Sequence, residues 1–163
     1  MKHIKNQRVA FVTRAAMIAA VYVVLSTIFA PLGTKAIQVR FAEALTILPI
    51  FSSAAIPGLF VGCMLGNALS GAILPDVIFG SLATLIGAIG TRKLGKAHPI
   101  LGTIPPILAN TITVPLILRY GYGEPLPIPY MMLTVGIGEI LSCGVLGMIL
   151  YSALKPRANK IFK

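Results

Sequence analysis

The chain is poor in charge and poorer still in acid. Charged residues make up 11% of its 163 residues, and only four of them are acidic. A soluble domain carries roughly 25% charged residues. There is no tryptophan and there are two cysteines. No G-x-x-x-x-G-K-[ST] phosphate loop, H-E-x-x-H or nucleophile elbow is present, so no nucleotide-hydrolysing, zinc-hydrolase or serine-hydrolase site is visible. His3 and His98 are isolated, and no metal-ligand spacing occurs. Cys63 and Cys143 both lie in apolar runs, where they read as small packing residues rather than as a disulfide.

What is present is apolar. Hydrophobic residues account for 56% of the chain, and the mean hydropathy is +0.90. A core of this size cannot hide so much apolar surface, so most of it faces lipid. The sequence reads as an all-α integral membrane protein with one transmembrane domain over 1–163. Spans of about 20 residues are expected near 9–32, 41–56, 58–74, 76–91, 100–119 and 130–154. The second and third are separated at Ile56-Pro57-Gly58, and Pro49, Pro105, Pro106 and Pro115 are expected to break or kink helices. The first run is too long for the core of a cleavable signal and is followed by more membrane.

The net charge of +10 sits in flanks rather than in a nucleic-acid groove. With six spans, Lys2, Lys5, Arg8, Arg14, Arg92, Lys93, Lys96, Lys155, Arg157, Lys160 and Lys163 fall on one side. Only Lys35, Arg40 and Arg119 fall on the other. That asymmetry places both termini in the cytoplasm.

A carboxylate at the centre of a spanning helix costs about 2.5–3.5 kcal/mol and needs a partner, a water cavity or a task. Glu139, in Val135-Gly-Ile-Gly-Glu139, is the sharpest case. Asn110 and Asn67 are expected at similar depth on other helices. The three either converge on one pocket or hydrogen-bond as glue between helices. Arg40 and Glu43 are spaced for a local ion pair or for a charged rim over the same pocket. Asp76, after Pro75, is placed to cap a helix or to touch a ligand. Glu124 falls in a Gly- and Pro-rich loop. Ala15-x-x-x-Ala19 and Ala16-x-x-x-Ala20 put small residues on neighbouring faces of the first helix, where another helix can approach closely.

Ile37-Gln-Val-Arg40-Phe-Ala-Glu43-Ala-Leu-Thr-Ile-Leu-Pro49 resembles the signature of the QueT family. Leu65-Gly-Asn67, Asp76-Val-Ile-Phe-Gly-Ser-Leu-Ala83 and Val135-Gly-Ile-Gly-Glu139 are similar to its other motifs, so that the resemblance covers nearly the whole chain. It implies the substrate-binding (S) component of an energy-coupling factor (ECF) transporter in a prokaryotic plasma membrane. The implied cargo is a queuosine precursor: preQ1, preQ0 or queuine, all 7-deazaguanines. The implied partners are a membrane T component, contacted through Ala15 and Ala19, and cytoplasmic ATPase subunits. No enzymatic activity, cofactor, metal or nucleic acid is implied. Substrate-binding roles are expected for Glu139, Asn110, Asn67, Glu43, Arg40 and Asp76. Glu139 would accept two parallel N–H donors of a guanine-like edge, and Phe41, Phe79 or Tyr120 would stack on the ring. The alternatives are an S component for another vitamin or nucleobase, or a stand-alone gradient-driven carrier.

Overall fold

The computed structural model describes residues 2–29 and 39–162, with side chains from Asn6 onward. The loop expected over 33–40 falls outside the described residues except for Val39 and Arg40, as do the last residues of the first expected span and Lys163. Every element is helical, and no strand occurs among the described residues.

Four helices are long and apolar enough to cross a membrane: α1, whose apolar stretch is Asn6–Ile28 within Lys2–Ile28; α3, Asp76–Leu94; α4, Pro99–Tyr120; and α5, Ile128–Phe162. Two apolar elements are shorter, a 3₁₀ helix at Phe41–Ile50 and α2 at Ala55–Leu69. The 3₁₀ winding is visible in its end bonds, Glu43 N donating to Arg40 O at 3.0 Å and Phe51 N to Leu48 O at 2.9 Å. At about 2.0 Å rise per residue, ten such residues reach ~20 Å, where an α-helix would reach ~15 Å. The tighter coil therefore carries a short segment further through the bundle.

The break between these two elements lies at Phe51–Ala54, not at Ile56-Pro57-Gly58. Pro57 sits in the first turn of α2, where a missing N–H costs nothing. Gly58 is a packing residue: a Cβ there would lie 2.7 Å from the Ala15 carbonyl oxygen of α1. One turn on, a Cβ at Gly62 would lie 2.8 Å from Tyr22 Cβ and 3.0 Å from Ala19 Cα. A further turn on, Gly66 meets Ser26. This glycine line draws α1 against α2 and occupies the Ala15/Ala19 face; Ala19 is buried, whereas Ala16 and Ala20 are exposed. Pro105 and Pro106 likewise do not break α4. They sit in the first turn of its regular α-helical part and pack on Gly90 and Gly87 of α3.

The six apolar elements run alternately between two ends. At one end Arg14 Nη1 donates to Phe162 O at 2.7 Å, and Arg92 Nη1 donates to Pro49 O at 2.8 Å and to Ile50 O at 3.2 Å. Phe51 stacks there on Tyr151 and Phe162 at 5.2 and 5.5 Å. The cationic side chains thus close the final carbonyls of the 3₁₀ helix and of α5. At the other end the helices splay around a cavity.

Close packing of α1 on α2 predicts that Gly62→Leu destabilises the protein by about 1–3 kcal/mol, read as a fall in thermal unfolding midpoint in detergent. Gly144→Ala, whose Cβ would meet only Ile140 Cγ2 at 3.8 Å, leaves the midpoint within error.

Candidate functional site

The cavity encloses about 860 Å³, within the ~300–1,000 Å³ range of small-molecule sites. Its walls come from the last turns of α1, α2 and α4, the starts of the 3₁₀ helix, α3 and α5, and the loop over 121–127. Three of the expected residues line it: Arg40, Asn67 and Asp76.

Asp76 is buried at the start of α3 but does not cap it, because no side-chain cap bond forms. Its Oδ2 accepts the Tyr122 hydroxyl at 3.1 Å, and its Oδ1 is buried with no partner. Asn67 Nδ2 donates to the Asp76 backbone oxygen at 3.2 Å and contacts Cys63 Sγ at 3.7 Å. Arg40 is anchored by its backbone, N donating to Ser142 Oγ of α5 at 3.0 Å. It makes no local pair with Glu43, whose Oε1 is taken by Tyr22 and whose Oε2 has no hydrogen-bond partner. Glu124, in the loop, also reaches the cavity wall.

The other three expected residues form a second group, sealed from solvent. Glu43, Glu139 and Asn110 are all at most 2% exposed. The Tyr22 hydroxyl donates to Glu43 Oε1 at 2.5 Å. Cys143 Sγ donates to Glu139 Oε2 at 3.2 Å and accepts Thr46 Oγ1 at 3.4 Å. Asn110 lies beside both carboxylates, yet its Nδ2 closes no hydrogen bond. Single oxygens of Glu43 and Glu139 and the Cys143 sulfur lie within 4.8 Å of one another, a donor set that could hold a small cation or a ligand rich in N–H groups.

The expectation that Glu139, Asn110 and Asn67 share one pocket therefore divides. Asn67 stands with Asp76 in the open cavity, Glu139 and Asn110 with Glu43 in the sealed cluster. Tyr22 touches both, lining the cavity while bonding to Glu43. The aromatic expectations also shift. Phe41 lines the cavity, packed on Phe29 at 4.5 Å between ring centroids. Phe79 and Tyr120 do not; they are 54% and 79% exposed, and Tyr22, Phe29, Tyr122 and Tyr130 take their place.

Two π-helical stretches adjoin the acids, Asp76–Gly80 at the first and Ile140–Leu146 directly after Glu139. Such widened turns accumulate at functional sites because they re-aim side chains. Sequence reasoning missed Tyr22, Tyr122, Ser142 and Cys143. Tyr22 carried a usable signal: it follows Ala19 by three residues on the packed face of α1, and a buried tyrosine hydroxyl needs a partner.

The sequence profile of the QueT transporter family matches residues 12–156. The chain belongs to the QueT transporter family. No curated protein and no solved structure is matched. As a QueT family member with four long apolar helices, it is a multi-pass membrane protein of transport rather than of catalysis. The stretch over 40–49 that resembles the QueT signature overlaps the 3₁₀ helix Phe41–Ile50, which starts after Arg40 at the cavity and carries Glu43 to the buried cluster.

Burial and the neighbouring Asp76 carboxylate raise the Tyr122 hydroxyl above the ordinary tyrosine range. A spectrophotometric titration, differenced against Tyr122→Phe, should show Tyr122 ionising late. Asp76→Asn should bring that ionisation to lower pH, since it removes a charge that opposes the phenolate.

Proposed function

We propose that this QueT protein is the substrate-binding S component of an ECF-type importer, capturing a 7-deazaguanine queuosine precursor at the outer face for ATP-driven uptake by partner subunits. The observation that carries the reading is the cavity walled by Arg40, Asn67 and Asp76 and joined through Tyr22 to the buried cluster of Glu43, Glu139 and Asn110. Such a set offers carboxylates to the paired N–H donors of a guanine-like edge and amides to its carbonyl and ring nitrogens. The cavity opens at the end opposite the Arg14 and Arg92 anchors. With cationic flanks inside, that end is extracellular, both termini are cytoplasmic, and the six apolar elements count as six spans.

Partner docking belongs on α1, but one residue away from the expected positions. Ala15 and Ala19 are engaged by α2, so Ala16 and Ala20 supply the free small-residue face for a T component. Ala16→Leu with Ala20→Leu should abolish co-purification with a T component while leaving ligand affinity unchanged; loss of neither would remove this contact from the account.

Calorimetry of the detergent-purified protein with preQ1, preQ0, queuine and guanine tests the cargo. A deazaguanine should bind, and Glu139→Gln should weaken binding at least tenfold, equal to about 1.4 kcal/mol. No binding of any of the four to folded protein would sink the deazaguanine reading.

A further inference from the structure

Adjoining the open cavity is a buried polar cluster, packed and closed to solvent. Its members are Glu43, Glu139, Asn110, Cys143 and Thr46, contributed by the 3₁₀ helix, α4 and α5, and all are buried. Two of its polar atoms are unsatisfied, Glu43 Oε2 and Asn110 Nδ2. Burying an unpaired amide or carboxylate oxygen costs about 1–3 kcal/mol or more. Of these two atoms one is an acceptor and the other a donor, and they stand close together without closing a bond, so both are open to the polar edge of a ligand. One side chain belongs to both the cavity lining and this cluster, and the inner compartment is the space the cluster would yield to a ligand edge once that side chain's bond is exchanged. Tyr22 is 3% exposed, lines the cavity and donates its hydroxyl to Glu43 Oε1.

We propose that Tyr22 is a specificity plug. Its hydroxyl stands in for a ligand N–H donor on Glu43, and a ligand gains the inner compartment by exchanging its own donors for that hydroxyl. This rests on the ligand-binding reading above and narrows it. The inner site takes a planar heterocycle whose edge carries adjacent N–H donors. A ring that offers only acceptors, or a single donor, cannot replace the hydroxyl and also satisfy Glu43 Oε2. The remaining ring then stays in the cavity, against Phe41 and beside Arg40, Asn67 and Asp76. Discrimination by lost hydrogen bonds is strong because a rejected ligand leaves buried polar groups unpaired.

The sign of one substitution separates a plug from an ordinary wall residue. Tyr22→Phe keeps the ring and deletes the competing donor. A plug predicts tighter binding of 7-deazaguanine, by about 2- to 12-fold if the hydroxyl contributes a typical net hydrogen bond. The gain should shrink for 7-deazahypoxanthine, which lacks the exocyclic amine. Equal or weaker binding of 7-deazaguanine by Tyr22→Phe overturns the proposal, as does an equal gain for both ligands.

A second measurement does not depend on affinity. Cys143 is 1% exposed and bonded to Glu139, and Cys63 is removed as Cys63→Ala so that one thiol remains. Adding Tyr22→Ala should open the compartment and make Cys143 reactive to a small methanethiosulfonate reagent, with 7-deazaguanine protecting it. A thiol as unreactive as in Cys63→Ala alone overturns the plug. If no deazaguanine binds the wild-type protein, the cargo reading falls, and reactive Cys143 without protection would still locate the compartment behind Tyr22.

Discussion

The constraint on which the rest of this structure depends is the burial of two carboxylates, Glu43 and Glu139, in a bundle whose outer surface is apolar. Their oxygens approach within 4.8 Å together with the Cys143 sulfur. Neither lipid nor water reaches them, so the protein itself must supply their partners. Tyr22 serves one and Cys143 the other. The Tyr22–Glu43 bond ties α1 to the 3₁₀ helix, and the bonds from Thr46 to Cys143 and from the Arg40 backbone to Ser142 tie the 3₁₀ helix to α5. The glycine line of α2 is tied to the same requirement: without the close approach at Gly58 and Gly62, the face of α1 bearing Tyr22 would stand further from the centre.

The same constraint accounts for the irregular elements. An α-helix over 41–50 would be shorter and would space Arg40 and Glu43 differently along the bundle. The 3₁₀ winding lets the chain present Arg40 at the cavity and Glu43 inside it, while Arg92 from α3 closes the last carbonyls. The π-helical turns after Glu139 bring Ser142 to the Arg40 backbone and Cys143 to both the Glu139 carboxylate and Thr46. One short motif, one widened turn and one tyrosine thus build a polar centre with few polar residues.

Much of this was legible beforehand. The apolar composition, the clustered cations and the rarity of acid gave a helical membrane protein with its basic residues gathered near one end, and the isolated acids pointed to Glu43, Asp76 and Glu139. The wording around Arg40–Pro49 pointed to the QueT family. What failed were inferences from single residue types. Pro57-Gly58 was read as a break because proline and glycine usually punctuate, but Pro57 sits where no N–H is needed and Gly58 where no Cβ fits. Asn67 and Asn110 were placed together by depth alone, and depth carries no information about which helix face meets which. Ala15 and Ala16 differ by about 100° around a helix, and only the glycines of α2 reveal which alanine pair is taken internally. Tyr22 escaped notice because tyrosine in an apolar helix is ordinary until its hydroxyl is seen to have a buried acid in front of it.

If the two carboxylates serve a single ligand, their contributions to affinity cannot be independent. The most direct measurement is a double-mutant cycle on deazaguanine affinity with Glu43→Gln, Glu139→Gln and the double variant. One shared inner site predicts coupling of about 1 kcal/mol or more, well beyond the ~0.3–0.5 kcal/mol scatter of independent sites. Additive losses, or no loss from either change in folded protein, would contradict a common site and reduce the buried acids to structural members of the bundle.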